Sequence, residues 1–355
     1  MRILTVVGAR PQFVKAFAVS RELRSAHEEI LVHTGQHYDE ELSDVFFTEL
    51  GIPEPEHNLG VGSGSHARQT ASMMTDLAAL VDEYDPDVVL CYGDTNSTLA
   101  ASLVASKRDV ELAHVEAGLR SYNREMPEEV NRVLTDHVSD LLFAPSERAI
   151  ENLADEGLTE GVHFVGDVMY DALLWAREHA PTRSTILDDL EIEDEYVLAT
   201  VHRPRNTDSI DRLETILACL ADDPRRVVFS AHPRTLDRLE AHGLLQTAER
   251  KLTVIEPVGY LDFLTLQTNA AAVVTDSGGV QKEAFFLDVP CITLREETEW
   301  PETVAAGGNV LVGADADAIR DALEDPPTAP STAEPYGDGT AAADVRRLLA
   351  ESISR

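Results

Sequence analysis

The chain has 355 residues and a formal net charge of −35, from 64 acidic and 29 basic side chains. So negative a surface repels nucleic acid and anionic membranes, and neither is expected as a partner. The length favours two domains, the 43% hydrophobic content is enough for their cores, and the absence of a long apolar run or a leader-like start points to a soluble, cytoplasmic protein.

Four of the basic residues are lysine: Lys15, Lys107, Lys251 and Lys282. Acid spread over helix faces, with lysine almost replaced by arginine, suggests a salt-rich cytoplasm such as that of a halophilic archaeon, where self-repulsion is screened. The three cysteines, Cys91, Cys219 and Cys291, lack CxxC spacing, which argues against a zinc site or a disulfide scaffold.

In chain order, Arg2–Gly8 is a near-continuous apolar strand and Phe13–Leu23 a helix. Glu29–Gly35 is a second strand, with a helix near Asp39–Leu50 and a loop over Ile52–Ser65. His66–Tyr84 has helical apolar spacing, followed by strand Val88–Tyr92, helix Ser97–Ser106 and strand Glu111–Val115. Pro127, with Glu128 and Glu129 behind it, marks a helix start. Strand Asp140–Ala144, a helix and strand His163–Val165 complete the first half.

The pattern lapses into acidic sequence near His179–Asp194, where a linker is expected, and then restarts. Strands Tyr196–Val201, Arg226–Ser230, Leu252–Ile255, Ala271–Val274, Cys291–Leu294 and Asn309–Val312 alternate with helices, and Ala341–Ser352 closes as a helix. The fold class is α/β: two Rossmann-like, doubly wound parallel-sheet domains. Such halves would face a cleft at the carboxyl ends of their strands.

The strand ends carry the chemistry. The first ends in Gly8-Ala9-Arg10-Pro11-Gln12, with Lys15 behind. Without GxGxxG it predicts no dinucleotide. Others end at Gly93-Asp94-Thr95-Asn96, at His114-Val115-Glu116 and at His202-Arg203. In the second half, Asp276-Ser277-Gly278-Gly279 reads as a tight turn before a helix over Val280–Leu287. Small residues, unpaired N–H groups and a positive dipole end make it an anion cradle. Glu283 there would repel phosphate but could accept hydrogen bonds from ribose. Each residue also has an ordinary reading: Asp94 as a helix cap, Glu128 as a favourable first-turn acid, and His33, His114 and His232 as structural. Convergence of Arg10, Lys15, Asp94, Glu116, Glu128 and His202 on one end of the sheets favours acid–base chemistry on a phosphorylated ligand.

These segments together resemble the non-hydrolysing UDP-N-acetylglucosamine 2-epimerases. The matching pieces are GARPQ with Lys15, GQH at Gly35–His37, GDTNST at Gly93–Thr98, HVEAGLR at His114–Arg120, PEEVNR at Pro127–Arg132, VHRPRN at Val201–Asn206, AHP at Ala231–Pro233, TDSGGVQKEA at Thr275–Ala284, TEWPETV at Thr298–Val304 and PYGDGTAA near the end. The resemblance implies a GT-B-like fold, a homodimer, a UDP-sugar substrate and neither nicotinamide nor metal. It divides the chain into an N-terminal domain, 1–168, with the sugar and acid–base residues, a UDP-binding domain, 169–340, and a C-terminal helix, 341–355, that could pack back on the first domain.

The implied reaction inverts C2 of an N-acetylhexosamine. No carbonyl adjoins C2, so its hydrogen is not acidic. The family route expels UDP from C1 as the C2 proton is removed, giving 2-acetamidoglucal, and then adds UDP back with protonation on the other face. Asp94, Glu116, Glu128 and His202 match the family's essential positions, with His202 serving the departing UDP. Arg10, Ser277, Gly278 and Gly279 would bind the diphosphate, Lys15 the sugar and its phosphate, Glu283 the ribose and Phe263 the uracil. Trp300 stands where many members have Arg, so a cation is lost or supplied elsewhere. This variant is shared with a sister group acting on UDP-2,3-diacetamido-glucuronate. Gln36 matches one of two glutamines that bind an activating second substrate in some members, but Asp39 replaces the other, so that allostery is not expected. A glycosyltransferase needing an acceptor and a non-catalytic sugar-nucleotide binder are the competing classes.

The charge balance makes one prediction. In dilute buffer the protein should unfold at lower temperature than in molar salt, as read by circular dichroism melts; full stability without salt would count against the halophilic reading.

Overall fold

In the computed structural model the described residues are 1–36, 54–328 and 334–352, the side chains of Arg10 and Pro11 excepted. The chain divides into two compact units, Met1–Leu174 with Tyr336–Arg355, and Trp175–Pro335. The helix expected near Asp39–Leu50, with Asp39 itself, lies outside the described residues.

The first unit holds a seven-stranded sheet. Its strands are β1 (Arg2–Val7), β2 (Glu28–His33), β3 (His57–Asn58), β4 (Val88–Tyr92), β5 (Glu111–Val115), β6 (Leu141–Ala144) and β7 (Val162–Phe164), in the order β3-β2-β1-β4-β5-β6-β7. All pairings are parallel. β1 and β4 are covered on both faces, which is why they read as unbroken apolar runs rather than alternating ones. The helices used below are α1 (Arg10–Arg24), α2 (His66–Tyr84), α3 (Asn96–Ala105), α4 (Pro127–Val138), α5 (Glu147–Asp155) and α6 (Val168–His179). β3 falls inside the segment expected to be loop; two residues are too few to leave a periodic signature.

The second unit repeats the plan with β8 (Tyr196–Thr200), β9 (Arg226–Ser230), β10 (Thr253–Ile255), β11 (Ala272–Thr275), β12 (Cys291–Thr293) and β13 (Asn309–Leu311), in the order β10-β9-β8-β11-β12-β13. Its helices include α7 (Ile210–Asp222), α8 (Pro233–Ala241), α9 (Leu245–Lys251), α10 (Tyr260–Thr268), α11 (Gly278–Phe286), α12 (Pro301–Ala305) and α13 (Ala316–Glu324). Val197, Ala199, Phe229 and Val274 project from its strands into a core shared with Leu213, Ile216 and Ile319.

In both sheets the strand order reverses once, between β1 and β4 and between β8 and β11. The connections leaving the two strands at such a point go to opposite faces, which leaves a crevice at the carboxyl ends.

The last helix, α14 (Ala341–Ser352), belongs to the first unit. Ala341, Ala342, Val345 and Leu349 form its buried face, and Arg346 reaches Glu22 and Ser25 around the end of α1. Its N-terminus is held by Asp171 on α6, whose Oδ1 accepts the Ala342 N–H at 2.9 Å. Burial pushes the Asp171 carboxyl up to about 6, against the pull of the Ala342 and Ala341 N–H groups. A raised carboxyl binds its proton more tightly when folded. Its contribution is therefore complete below the ordinary aspartate value of 3.8 and is lost as pH rises through about 6. Asp171→Asn keeps an acceptor oxygen and removes the charge. Its stability relative to wild type should rise between pH 4 and 7, measured by urea unfolding at both ends of that window.

Candidate functional site

Each unit places its candidate residues at its own strand-order reversal. In the first unit the connection after β1 is built around Gln12. Its Oε1 accepts the N–H groups of Gly8 (2.8 Å) and Ala9 (3.1 Å), and its Nε2 donates to the Tyr92 carbonyl at the end of β4 (2.6 Å) and to Thr98 Oγ1 (3.0 Å). One buried amide thus ties the two diverging strand ends together. Gly8 permits the close approach, since a Cβ there would collide with Ser97 Oγ and Thr34 Oγ1. Gln36 is structural here: its Oε1 accepts Ser97 N (2.9 Å) and Ser97 Oγ (2.7 Å) at the start of α3.

Lys15 lies one turn into α1 and is ion-paired with Glu116, both nearly buried. Burial alone would lower the lysine, but the adjacent Glu116 carboxylate outweighs it and holds Lys15 above its ordinary value. Glu116 follows β5 with φ 71°, a left-handed backbone conformation unfavourable for a non-glycine residue. The N–H groups of Glu116 and Ala117 both reach the Phe143 carbonyl at 3.1 Å, which holds the bend. A side chain on Gly93 would stand 3.2 Å from Glu116 Oε2 and 3.6 Å from Lys15 Nζ, so the Gly93–Asp94 turn lies against this pair.

Asp94 does not cap α3. Thr95 does, accepting the Thr98 N–H at 3.4 Å. The Asp94 carboxylate instead pairs with Arg132 on α4, and the Asp94 carbonyl accepts from Asn131 Nδ2 at 2.9 Å. Glu128 is half-buried in the first turn of the same helix, beside Glu129. Glu129 is buried and braces the preceding loop by accepting Ser121 N, Ser121 Oγ and Tyr122 N at 2.8–2.9 Å. Lys15, Asp94, Glu116 and Arg132 are therefore neighbours through the Gly93–Asp94 turn, with Glu128 on the helix that carries Arg132. Arg10 opens α1, and its side chain lies outside the described residues.

Beneath this surface runs a charge network, buried at His114, Asp136 and Arg120 and reaching the surface at Glu156. His114 Nδ1 meets Asp136 Oδ1 at 2.7 Å, and its Nε2 meets the Gly93 carbonyl at 2.7 Å. Asp136 Oδ2 accepts Arg120 Nη1 at 2.7 Å and the Gly118 N–H at 3.1 Å, and Arg120 makes a two-pronged contact with Glu156 at 2.7 and 2.8 Å. Burial works against an ionised Asp136, but hydrogen bonds and charge from His114 and Arg120 hold it below its ordinary value. His114 is thus a structural residue that fixes Gly93, next to Asp94, from behind.

In the second unit Asp276 plays the part of Gln12. It follows β11, is wholly buried, and accepts His202 N (3.0 Å), Arg203 N (3.0 Å) and Asn206 Nδ2 (3.0 Å) from the connection after β8. His202 Nδ1 lies 3.1 Å from Asp276 Oδ1. His232 caps α8 by accepting the Arg234 N–H at 3.2 Å, and its ring centroid is 6.2 Å from that of His202.

The glycine corner differs from the expected tight turn. Ser277 is the cap, α11 begins at Gly278, and neither glycine has positive φ. A Cβ on Gly279 would meet nothing within 4 Å, and one on Gly278 only ordinary contacts with Glu299, Trp300 and Arg203. Neither backbone strain nor packing within the unit demands glycine, and without side chains the two positions leave the N–H groups of the first turn uncovered. Cations do stand here: Arg203 Nη2 lies 3.8 Å from the Gly278 Cβ direction, and buried Lys282 lies 4.0 Å over the Trp300 ring. Glu283 is half-buried on α11 and Phe263 half-buried on α10. Among the described residues no His, Cys, Asp and Glu group is arranged to hold a metal, and no helix is long and apolar enough to cross a membrane.

A sequence profile described as UDP-N-acetylglucosamine 2-epimerase matches residues 21–350. This chain belongs to the UDP-N-acetylglucosamine 2-epimerase family. It is 48% identical over 354 residues to a UDP-N-acetylglucosamine 2-epimerase homolog of Methanococcus maripaludis, covering 98% of this chain and 99% of the relative. It is 45% identical over 361 residues to the UDP-2,3-diacetamido-2,3-dideoxy-D-glucuronate 2-epimerase of Pseudomonas aeruginosa, covering 99% and 100%. A crystal structure of the Methanocaldococcus jannaschii UDP-GlcNAc 2-epimerase with UDP-GlcNAc and UDP superposes with TM-score 0.82 at 41% identity, covering 99% and 100%.

In this epimerase, sequence reasoning left four contributors without roles: Gln12, Arg132, Asp136 and Asp276. Gln12, Arg132 and Asp276 lie inside motifs already noted. Asp136 alone sits in an ordinary amphipathic helix, and its only signal is an aspartate on a buried face. Asp136→Ala should strip the partner from His114 and Arg120 at once. A loss of about 3–5 kcal/mol in unfolding free energy, measured by denaturant titration, is expected for a broken buried pair.

Proposed function

We propose that this enzyme is a UDP-N-acetylglucosamine 2-epimerase that interconverts UDP-GlcNAc and UDP-ManNAc. The observation that carries this reading is the group formed by Lys15–Glu116 and Asp94–Arg132 at the strand-order reversal of the first unit, in a chain of this family. A carbon with no adjacent carbonyl cannot be deprotonated by a carboxylate at useful rates. Departure of UDP must therefore accompany proton loss, and its return must accompany protonation.

The chain divides this work. Ser277, Gly278 and Gly279 present the first N–H groups of α11 to the diphosphate, with Arg203 beside them and His202 stabilising charge as UDP leaves. Glu283 holds the ribose, Phe263 packs on the uracil, and Arg10 adds charge to the diphosphate. Asp94, Glu116 and Glu128 supply the acid and base. Lys15 keeps Glu116 oriented and faces the sugar and its phosphate. The competing substrate is UDP-2,3-diacetamido-2,3-dideoxy-D-glucuronate, named for the relative at 45% identity. We further propose a homodimer working in a salt-rich cytoplasm.

Incubation with UDP-GlcNAc alone, in salt-rich deuterated buffer, should give the C2 epimer carrying deuterium at C2 by NMR. Turnover only with an added acceptor would indicate a transferase, and turnover only of the diacetamido-glucuronate the second substrate. Asp94→Asn and Glu116→Gln should each abolish epimerisation and leave UDP binding largely intact; wild-type turnover in both would remove the carboxylate assignment.

A further inference from the structure

The ring of His202 has two ends, and the structure distinguishes them. Nδ1 faces Asp276 Oδ1 at 3.1 Å, while Nε2 makes no hydrogen bond with a described residue and 36% of the side chain is open to solvent. The carboxylate is not placed there by the histidine alone. The N–H groups of His202 and Arg203 and the amide of Asn206 all donate to it, and Asn206 is itself anchored to the Leu294 carbonyl at 3.0 Å. Asp276 thus has its position fixed by donors other than the ring. The ring then meets an acceptor that cannot donate.

We infer that Asp276 is a positioning residue for His202: in the neutral ring it requires the proton to sit on Nδ1, which leaves Nε2 as the ring atom that meets the ligand and gains the second proton. This rests on the reading that His202 serves the departing UDP, and it extends that reading by naming the atom that meets the leaving group and the residue that selects it. With Nδ1–H committed to Asp276, Nε2 is the ring atom that takes a proton from solvent, and the resulting Nε2–H then donates to the departing diphosphate, whose ionised oxygens only accept. A positive charge formed on the ring is neutralised from behind by the same carboxylate. Burial opposes the charge on Asp276, but His202, Asn206 and the His202 N–H more than offset this and keep the carboxyl below its ordinary value.

The ordinary alternative is that Asp276 only closes the loop after β8, through Arg203 N and Asn206 Nδ2. The two roles separate on substitution by asparagine. Oδ2 of Asp276 receives Arg203 N and Asn206 Nδ2 at 3.0 Å and needs an oxygen. The His202 N–H, 3.0 Å from Oδ1, is also 3.2 Å from Oδ2 and keeps an oxygen there, so the new NH₂ would fall at the Oδ1 position and donate to Nδ1, which drives the ring to its Nε2–H form.

The test uses the whole 355-residue chain labelled with ¹⁵N-histidine, the His202 signal being assigned by its loss in His202→Gln. Wild type should show Nδ1–H and a bare Nε2 in the neutral ring. Asp276→Asn should show Nε2–H, with kcat for epimerisation reduced about 10²- to 10⁴-fold, KM little changed and UDP binding by calorimetry retained. An Nε2–H tautomer in wild type would overturn the inference, as would a flipped tautomer with wild-type kcat. If Asp276→Asn does not fold, the wild-type tautomer still decides. Wild type that epimerises no UDP-sugar would overturn the proposed reaction and leave the tautomer to judge the positioning alone.

Discussion

Two adjacent parallel strands whose connections leave for opposite faces cannot cover each other's carboxyl ends. That constraint shapes both units of this protein. At β1/β4 and again at β8/β11 the strand order reverses, and side chains meet backbone N–H and C=O groups at the strand ends. In each unit one buried polar side chain bridges the gap. Gln12 reaches from α1 to the end of β4, and Asp276 reaches from β11 to the chain leaving β8. Gln12 satisfies groups on both sides of its opening and Asp276 those of the chain leaving β8, and each is flanked by the groups proposed to do chemistry.

The choice of bridging residue fits its surroundings. Gln12 must accept from two N–H groups and donate to a carbonyl and a hydroxyl, which only an amide can do. Asp276 meets donors alone, which favours a carboxylate, and its charge then becomes available to orient His202. In the first unit the orienting charge lies deeper. Asp136 holds His114, His114 holds Gly93, and Asp94 follows in sequence. Residues on loops are thereby fixed by partners on helices and strands, so the loops do not have to supply their own rigidity.

Much of the architecture could be read from the residues because parallel strands buried on both faces, such as VVLCY in β4, are short apolar blocks with unmistakable ends. Elements whose signal is weak were not legible. β3 is two residues long, and α9 and α13 are short helices within polar sequence. The site was legible as positions but not as pairings. Asp94 next to Thr95 and Asn96 fits a helix cap equally well, and only the structure turns its carboxylate to Arg132 while Thr95 takes the cap. The glycine corner reads as a turn because two consecutive glycines usually mark one; here they open a helix, and their value lies in what they leave uncovered.

The overall charge adds a last requirement. A molecule carrying −35 repels any nucleoside diphosphate at a distance, so attraction has to be local. Two of the chain's four lysines, Lys15 and Lys282, are buried beside these strand ends, one against Glu116 and one against the face of Trp300. Buried, partnered cations are screened by salt much less than surface charges are, whereas the long-range repulsion from surface carboxylates fades beyond about 3 Å at 1 M salt. Salt therefore removes the unfavourable field and leaves the local one. The acidic surface and the cationic strand ends are compatible because they act over different distances, and the Trp300–Lys282 stack keeps a positive charge beside the Gly278 corner.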